Sequence, residues 1–230
     1  MNLIIFGPPG SGKGTYASRL EPILKIKRIA TGDIFRDEMK KNTELGKKAA
    51  GYYNKGELVP DSVVTDMLEK KLEEIGKRNF ILDGFPRTVE QAKDLDKFVK
   101  IDAIIVIIAP EEILIEKAKA RRICSNTKCD GNYNLADIKK TMDGIDYILP
   151  PLLPKKSGIC DKCGSKLYQR AEDGDENMIK KRLKVYVDQS KPVLKYYKGK
   201  IKFVQIYMNR PPDEIAKRIV GELKKIKLIK

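Results

Sequence analysis

The residues with the plainest chemistry stand together near the start of the chain. Gly7-Pro8-Pro9-Gly10-Ser11-Gly12-Lys13-Gly14-Thr15 lies between the apolar run Leu3-Ile4-Ile5-Phe6 and a stretch able to form a helix. Strand, glycine-rich loop and helix in that order make a phosphate cradle. Backbone N–H groups point at a polyphosphate, the helix N-terminus adds partial positive charge, and Lys13 reaches the outer phosphates. Gly10, Ser11, Gly12, Lys13, Gly14 and Thr15 are therefore the candidate triphosphate-binding residues. The strict pattern has Ser or Thr directly after the lysine to ligate magnesium. Here Gly14 stands there and Thr15 follows one place later, which predicts that Mg2+ is held through water.

A second group follows the apolar segment Phe80–Leu82, namely Asp83-Gly84-Phe85-Pro86-Arg87-Thr88. A carboxylate leaving a buried strand beside a phosphate loop is placed to orient magnesium or its waters. Arg87 either faces the phosphates or makes a surface salt bridge. Gln91 is open between two roles, because Thr88-x-x-Gln91 is also a capping-box pattern. The chain has no histidine, which excludes a phosphohistidine, a histidine base and any imidazole metal ligand. Its four cysteines form a C-x4-C pair, Cys124 and Cys129, and a C-x2-C pair, Cys160 and Cys163. They read as a tetrahedral zinc clamp on a segment too small to have its own core, with disulfides as the alternative.

Five short apolar runs are expected to be the strands that position these groups: Leu3–Phe6, Ile26–Ile29, Phe80–Leu82, Ala103–Ile108 and Ile201–Ile206. Helical spacing separates them, as in Val63, Val64, Met67, Leu68, Leu72 and Ile75, and again in Ile215, Ile219, Leu223 and Ile226. Alternating strands and helices predict an α/β fold: a parallel five-stranded sheet covered on both faces, with ligands at the carboxyl ends of the strands. Glu176–Tyr197 reads as one helix despite Pro192. Two segments break the alternation. Residues 31–60 read as short helices and turns, and 121–170 holds all the cysteines with Pro150, Pro151 and Pro154.

At 230 residues the chain can bury a substantial core. No apolar run is long enough to span a membrane and the N-terminus enters directly into a strand, so the expected location is cytoplasmic. Forty-seven basic against 32 acidic residues give a net charge of +15, which suits anionic partners. The excess is scattered lysine and lacks a basic, aromatic-rich stripe, which argues against a nucleic-acid-binding ATPase.

The phosphate loop, Ala30-Thr31-Gly32-Asp33-Ile34-Phe35-Arg36, Glu57-Leu58-Val59, Asp83–Thr88, Arg121-Arg122, Gln169-Arg170 and Lys181-Arg182-Leu183 together resemble the adenylate kinase family over nearly the whole chain. The resemblance implies a P-loop core of residues 1–30, 61–122 and 171–230. It also implies a monophosphate-binding insert of 31–60 and a zinc-knuckle lid of 123–170. It implies transfer of a phosphoryl group from Mg-ATP to AMP by a monomer, the alternative acceptors being UMP, CMP or GMP. Thr31, Gly32, Leu58, Val59, Gly84 and Gln91 would hold the nucleoside of AMP, with Arg36 and Arg87 on its phosphate. Arg121, Arg170 and Arg182 would converge on the transferred group, and Lys13 and Asp83 would complete the donor side. Tyr133 would join the donor nucleotide. The family commonly has an arginine four residues before Arg121 that stacks on the donor base, and this chain has Lys117, which either takes that place or faces solvent. The run Arg170-Ala171-Glu172-Asp173-Gly174-Asp175 carries one residue more than the family's signature, so the role of its second acid is open.

Overall fold

The computed structural model describes residues 1–54, 59–126 and 128–229; Leu58 lies outside them, and Arg36 is described by its backbone alone. The first half runs β1 (Asn2–Phe6), α1 (Lys13–Leu24), β2 (Lys27–Ala30), α2 (Thr31–Lys40), α3 (Glu44–Asn54), α4 (Asp61–Glu74), β3 (Phe80–Asp83), α5 (Val89–Phe98), β4 (Ala103–Ile108) and α6 (Glu111–Lys119). Four short strands and a further one come next: β5 (Arg121–Cys124), β6 (Asn132–Asn134), β7 (Ile138–Met142), β8 (Ile145–Leu149) and β9 (Leu167–Tyr168). The chain then returns through α7 (Ala171–Gly174), α8 (Glu176–Val185), α9 (Lys191–Tyr197), β10 (Lys202–Tyr207) and α10 (Pro212–Lys225).

The central sheet has the order β10-β4-β1-β3-β2 with every pair parallel. Continuous apolar runs such as Ala103–Ile108 suit strands buried on both faces. Because side chains alternate along a strand, Leu3, Ile5, Ile105 and Val204 pack with Leu20, Ile113 and Ile219 in one layer, from α1, α6 and α10. Ile4, Phe6, Ile104 and Val106 pack with Leu68, Leu95 and Val193 in the other, from α4, α5 and α9. This sheet puts the loop after β1 and Asp83 at the end of β3 side by side at the carboxyl edge.

Two expectations are refined. The helix expected over Glu176–Tyr197 is interrupted by a π-helical turn at Tyr186–Ser190, and Pro192 falls in the first turn of α9. A proline there costs no helical hydrogen bond, since the first N–H groups of a helix have no partner within it. The segment 123–170, expected as one lid, divides in two. Its antiparallel strands β6-β5-β9 carry the cysteine cluster, whereas the hairpin β7-β8 packs on the core. Ile138, Tyr147 and Leu149 of the hairpin join the layer of α1, α6 and α10. Ile148 N–H donates to Asn209 O at 3.0 Å, and Lys140 bridges Glu112 and Glu116 of α6 at 2.6 and 2.8 Å. No helix among the described residues is long and apolar enough to cross a membrane.

Candidate active site

Lys13 opens α1, with Gly12 in the left-handed conformation as its cap. Its ammonium donates to the loop carbonyls of Gly7 at 2.8 Å and Pro8 at 2.9 Å. Burial drives its pKa down to about 8; Asp83 pulls it back up, while Arg87, Arg121 and Arg182 push it further down. These four sequence-predicted groups are therefore near enough to Lys13 to act on its charge, although they come from three different parts of the chain. Ser11 Oγ is buried with no hydrogen-bond partner among the described residues, a free polar group that suits a phosphate oxygen. Asn132 of β6 reaches Thr15 Oγ1 at 3.3 Å, so the cysteine-bearing strands lie against the phosphate loop.

Arg121 and Arg182 are tied together by an acid that sequence reasoning left without a role. Asp173, 1% exposed, receives Arg121 through Nε at 2.8 Å and Nη2 at 2.7 Å, and Arg182 Nη1 at 3.3 Å. A two-pronged carboxylate grip fixes the plane of the Arg121 guanidinium as well as its position. Asp175 instead caps α8, accepting from Asn177 N–H at 2.8 Å. The longer Arg170–Asp175 run thus separates an ion-pair acid from a capping acid. Arg170 precedes α7 and is close enough to Arg121 to lower its pKa, behind burial and against Asp173.

On the acceptor side Thr31 begins α2 and donates to Gly84 O at 3.2 Å. Arg87 Nε donates to the same carbonyl at 2.9 Å, after the cis bond Phe85–Pro86. Thr88 does cap α5, since its hydroxyl accepts from Gln91 N–H at 3.2 Å. The Gln91 side chain nevertheless does something else: Oε1 accepts from Arg87 N–H at 2.7 Å and Nε2 donates to Asp61 Oδ1 at 2.7 Å. Asp61, which sequence reasoning missed, also accepts from the Thr88 hydroxyl at 2.6 Å and so orients the whole turn from the start of α4. A carboxylate in the first helical turn was its available signal. Gly32 lies in α2 and Val59 packs against the second core layer.

Lys117 sits on α6, four residues before Arg121, and burial lowers its pKa. Asn134 Nδ2 donates to the Lys117 carbonyl at 2.8 Å, fixing β6 beside it. Tyr133, expected on the donor nucleotide, lies on β6 next to Asn132, which reaches the phosphate loop. Its ring packs in the cysteine cluster, and its hydroxyl accepts from Asp161 N–H at 2.7 Å and lies 3.8 Å from Cys160 Sγ. The hydroxyl is committed inside the lid.

The four cysteines are free thiols whose sulfurs all lie within 4.8 Å of one another, with Cys124 and Cys163 at 3.3 Å and Cys129 and Cys160 at 3.7 Å. Tetrahedral zinc with bonds of ~2.3 Å requires sulfurs about 3.8 Å apart, so the cluster has the dimensions of such a site. Gly131 is required by this crowding, because a Cβ there would stand 2.5 Å from Cys160 Sγ. Hydrogen bonds from Ser165 draw the Cys163 thiol down to about 6, toward the thiolate a metal binds.

A parallel sheet with a glycine loop, a lysine and converging arginines at its carboxyl edge, flanked by two inserts, defines a P-loop phosphotransferase acting between nucleotides. The chain belongs to the adenylate kinase family, whose family model matches residues 5–202. It is 39% identical to the adenylate kinase of Streptomyces coelicolor, with 98% of this chain and 99% of that one covered. Identity to the adenylate kinase of Caldicellulosiruptor bescii is 42%, covering 97% and 99%, and to that of Archaeoglobus fulgidus 41%, covering 99% and 100%. The activity is that of an adenylate kinase, reversible transfer of the terminal phosphoryl group of Mg-ATP to AMP to give two ADP.

Proposed function

We propose that this site performs in-line transfer between two bound nucleotides by positioning and charge neutralisation, with no covalent enzyme intermediate. The observation that carries it is the gathering of Lys13, Arg87, Arg121 and Arg182 around one loop, in a chain without histidine. An oxygen of the AMP phosphate attacks the γ-phosphorus of ATP, and the bond from that phosphorus to the β,γ-bridging oxygen breaks. Lys13 and the loop N–H groups hold the donor phosphates. Arg87 and Arg36 hold the AMP phosphate, and Arg121, Arg170 and Arg182 bear on the group in transit. Thr31, Gly32, Leu58, Val59, Gly84 and Gln91 form the nucleoside side. Magnesium supplies charge neutralisation across the phosphates, and Asp83 would hold its waters, being a largely buried carboxylate beside the loop.

Donor-base recognition is the point at which this chain departs from its family. A lysine ammonium meets a ring face by cation–π attraction but lacks the flat surface of guanidinium, a difference of about 0.5–2 kcal/mol. GTP and other triphosphates are therefore expected to serve beside ATP, while the acceptor stays AMP through Thr31 and Gln91. Measuring kcat/KM for four triphosphates against a panel of monophosphates, in wild type and Lys117→Arg, tests both halves. Strong ATP preference in the wild type removes Lys117 from the donor site, and equal use of UMP or GMP overturns the acceptor assignment.

Zinc would be held by Cys124, Cys129, Cys160 and Cys163 as a clamp on β6-β5-β9, remote from the chemistry. Chelation is expected to lower Tm by roughly 5–10 °C, on the scale of about 2–4 °C per kcal/mol for a chain of this size, with turnover in the cold changing less. Elemental analysis finding less than one metal per chain, with unchanged melting after chelation, excludes the clamp. The setting is proposed to be cytoplasmic, where thiols stay reduced and able to bind a metal. The working unit is proposed to be a monomer. Many surface lysines are paired with carboxylates, as Lys41 with Asp37 and Lys162 with Asp130, which supports a dispersed basic surface without a specific nucleic-acid site.

A further inference from the structure

Arg28, on β2, has no part in the chemistry described above, yet it stands against the phosphate loop. Its Nη2 donates to Asp83 Oδ2 at 2.9 Å and its Nη1 lies 3.5 Å from Asp33 Oδ2. The Arg28 and Asp83 side chains are only 19% and 12% exposed, so the pair is poorly screened by solvent. Arg28 Nε is buried with no hydrogen-bond partner among the described residues.

The pair also explains the departure at residue 14. A Cβ on Gly14 would meet Asp83 Oδ2 at 3.0 Å and Arg28 Nη2 at 3.1 Å. The hydroxyl residue of the strict phosphate-loop pattern would therefore crowd the arginine–carboxylate pair that occupies the space beside the loop, and that pair would have to shift to admit it.

We infer that Arg28 is a positioning residue that sets how strongly this site depends on magnesium. It engages Oδ2 of Asp83, leaving Oδ1 for a metal-bound water, and its positive charge offsets part of the negative charge that Asp83 offers to a divalent ion. The inference rests on the proposed role of Asp83 toward magnesium. Arg28 orients the carboxylate at the cost of metal affinity, so removing its charge strengthens the response to magnesium.

The test compares wild type with Arg28→Gln, Arg28→Lys and Asp83→Asn. ATP dissociation constants are measured by calorimetry in EDTA and in saturating Mg2+, and turnover is titrated with free Mg2+ at fixed ATP. Arg28→Gln is expected to raise the ratio of the EDTA to the Mg2+ dissociation constant about three- to tenfold, and to lower the half-saturating free Mg2+ by a similar factor. Arg28→Lys, which keeps the charge, is expected within about twofold of wild type. Melting curves check that each variant is folded; if Arg28→Gln is not, Arg28→Met, which keeps an apolar stem, carries the same expectation. An unchanged or reduced ratio in the uncharged variant, beside a reduced ratio in Asp83→Asn, overturns the role of Arg28 alone. No change in Asp83→Asn overturns both the inference and the assignment of Asp83.

Discussion

Lys13→Ala and Arg87→Ala are each expected to lower kcat by two to three decades while leaving the protein folded. The reaction has no enzyme nucleophile, so the rate comes from charge placed where the transferred phosphoryl group develops it. Removing one such contact in a water-poor site commonly costs about 2.7–4 kcal/mol. Lys13 is held against Gly7 and Pro8 at the mouth of the loop, and Arg87 is fixed at two points, by Gly84 O and by the Gln91 side chain. Arg87→Lys keeps a charge but loses the planar fork, and belongs nearer to Arg87→Ala than to wild type. The low pKa of Lys13, caused first by burial, adds a pH signature. Only the charged ammonium attracts phosphate, so kcat/KM for ATP is expected to be level below about 8 and to fall as pH rises through that value. Lys13→Ala should lack this alkaline limb. Near wild-type turnover in either pure alanine variant would falsify the assignment.

Asp173→Ala is the second large effect, and it couples stability to rate. Its carboxylate is buried between Arg121 and Arg182, and truncation leaves two cations without their counter-charge. Breaking a buried pair from one side costs about 3–5 kcal/mol; because Arg121 is 21% and Arg182 38% exposed, about 2–4 kcal/mol is expected here. On the scale for a chain of this length that is a fall in Tm of roughly 5–15 °C. Arg121 also loses its two-point grip, so kcat is expected to drop about ten- to a hundredfold while KM for AMP moves less. Asp173→Asn, which keeps the shape without the charge, should fall between, and Asp173→Glu should recover part of the rate. A variant with wild-type melting and kcat shows that the arginines are placed by something else.

The chemistry was legible in the sequence where one local segment carries it. The loop from Gly7 to Thr15 announces itself because strand, glycines, lysine and helix are contiguous, whereas Thr88-x-x-Gln91 offered a cap or a ligand and the structure shows the Thr88 cap. The alternation of apolar strands with helical stripes likewise predicts the parallel sheet, since each strand is buried on both faces and needs helices from both sides. Paired cysteines predict a cluster because only proximity makes them useful.

What no local pattern contains is who meets whom across the sheet. Asp173 and Arg121 are 52 residues apart, Asp83 and Arg28 are 55, and Asp61 and Gln91 are 30. Asp173 and Asp61 look like ordinary surface acids in sequence, and the partners of all three carboxylates arise from folding that brings strand ends and helix starts to one edge. The hairpin of β7 and β8 belongs to the same class. Ile138, Tyr147 and Leu149 alternate as any hairpin would, and whether that apolar face covers a lid or the core depends on the surface available to bury it. The sequence alone determined the alternating fold and the phosphate cradle, because these rest on contiguous spacing, while the reaction came through resemblance to a family. The tertiary structure decided which acids hold the arginines and what crowds a side chain at Gly14, because those depend on the distances of groups remote along the chain.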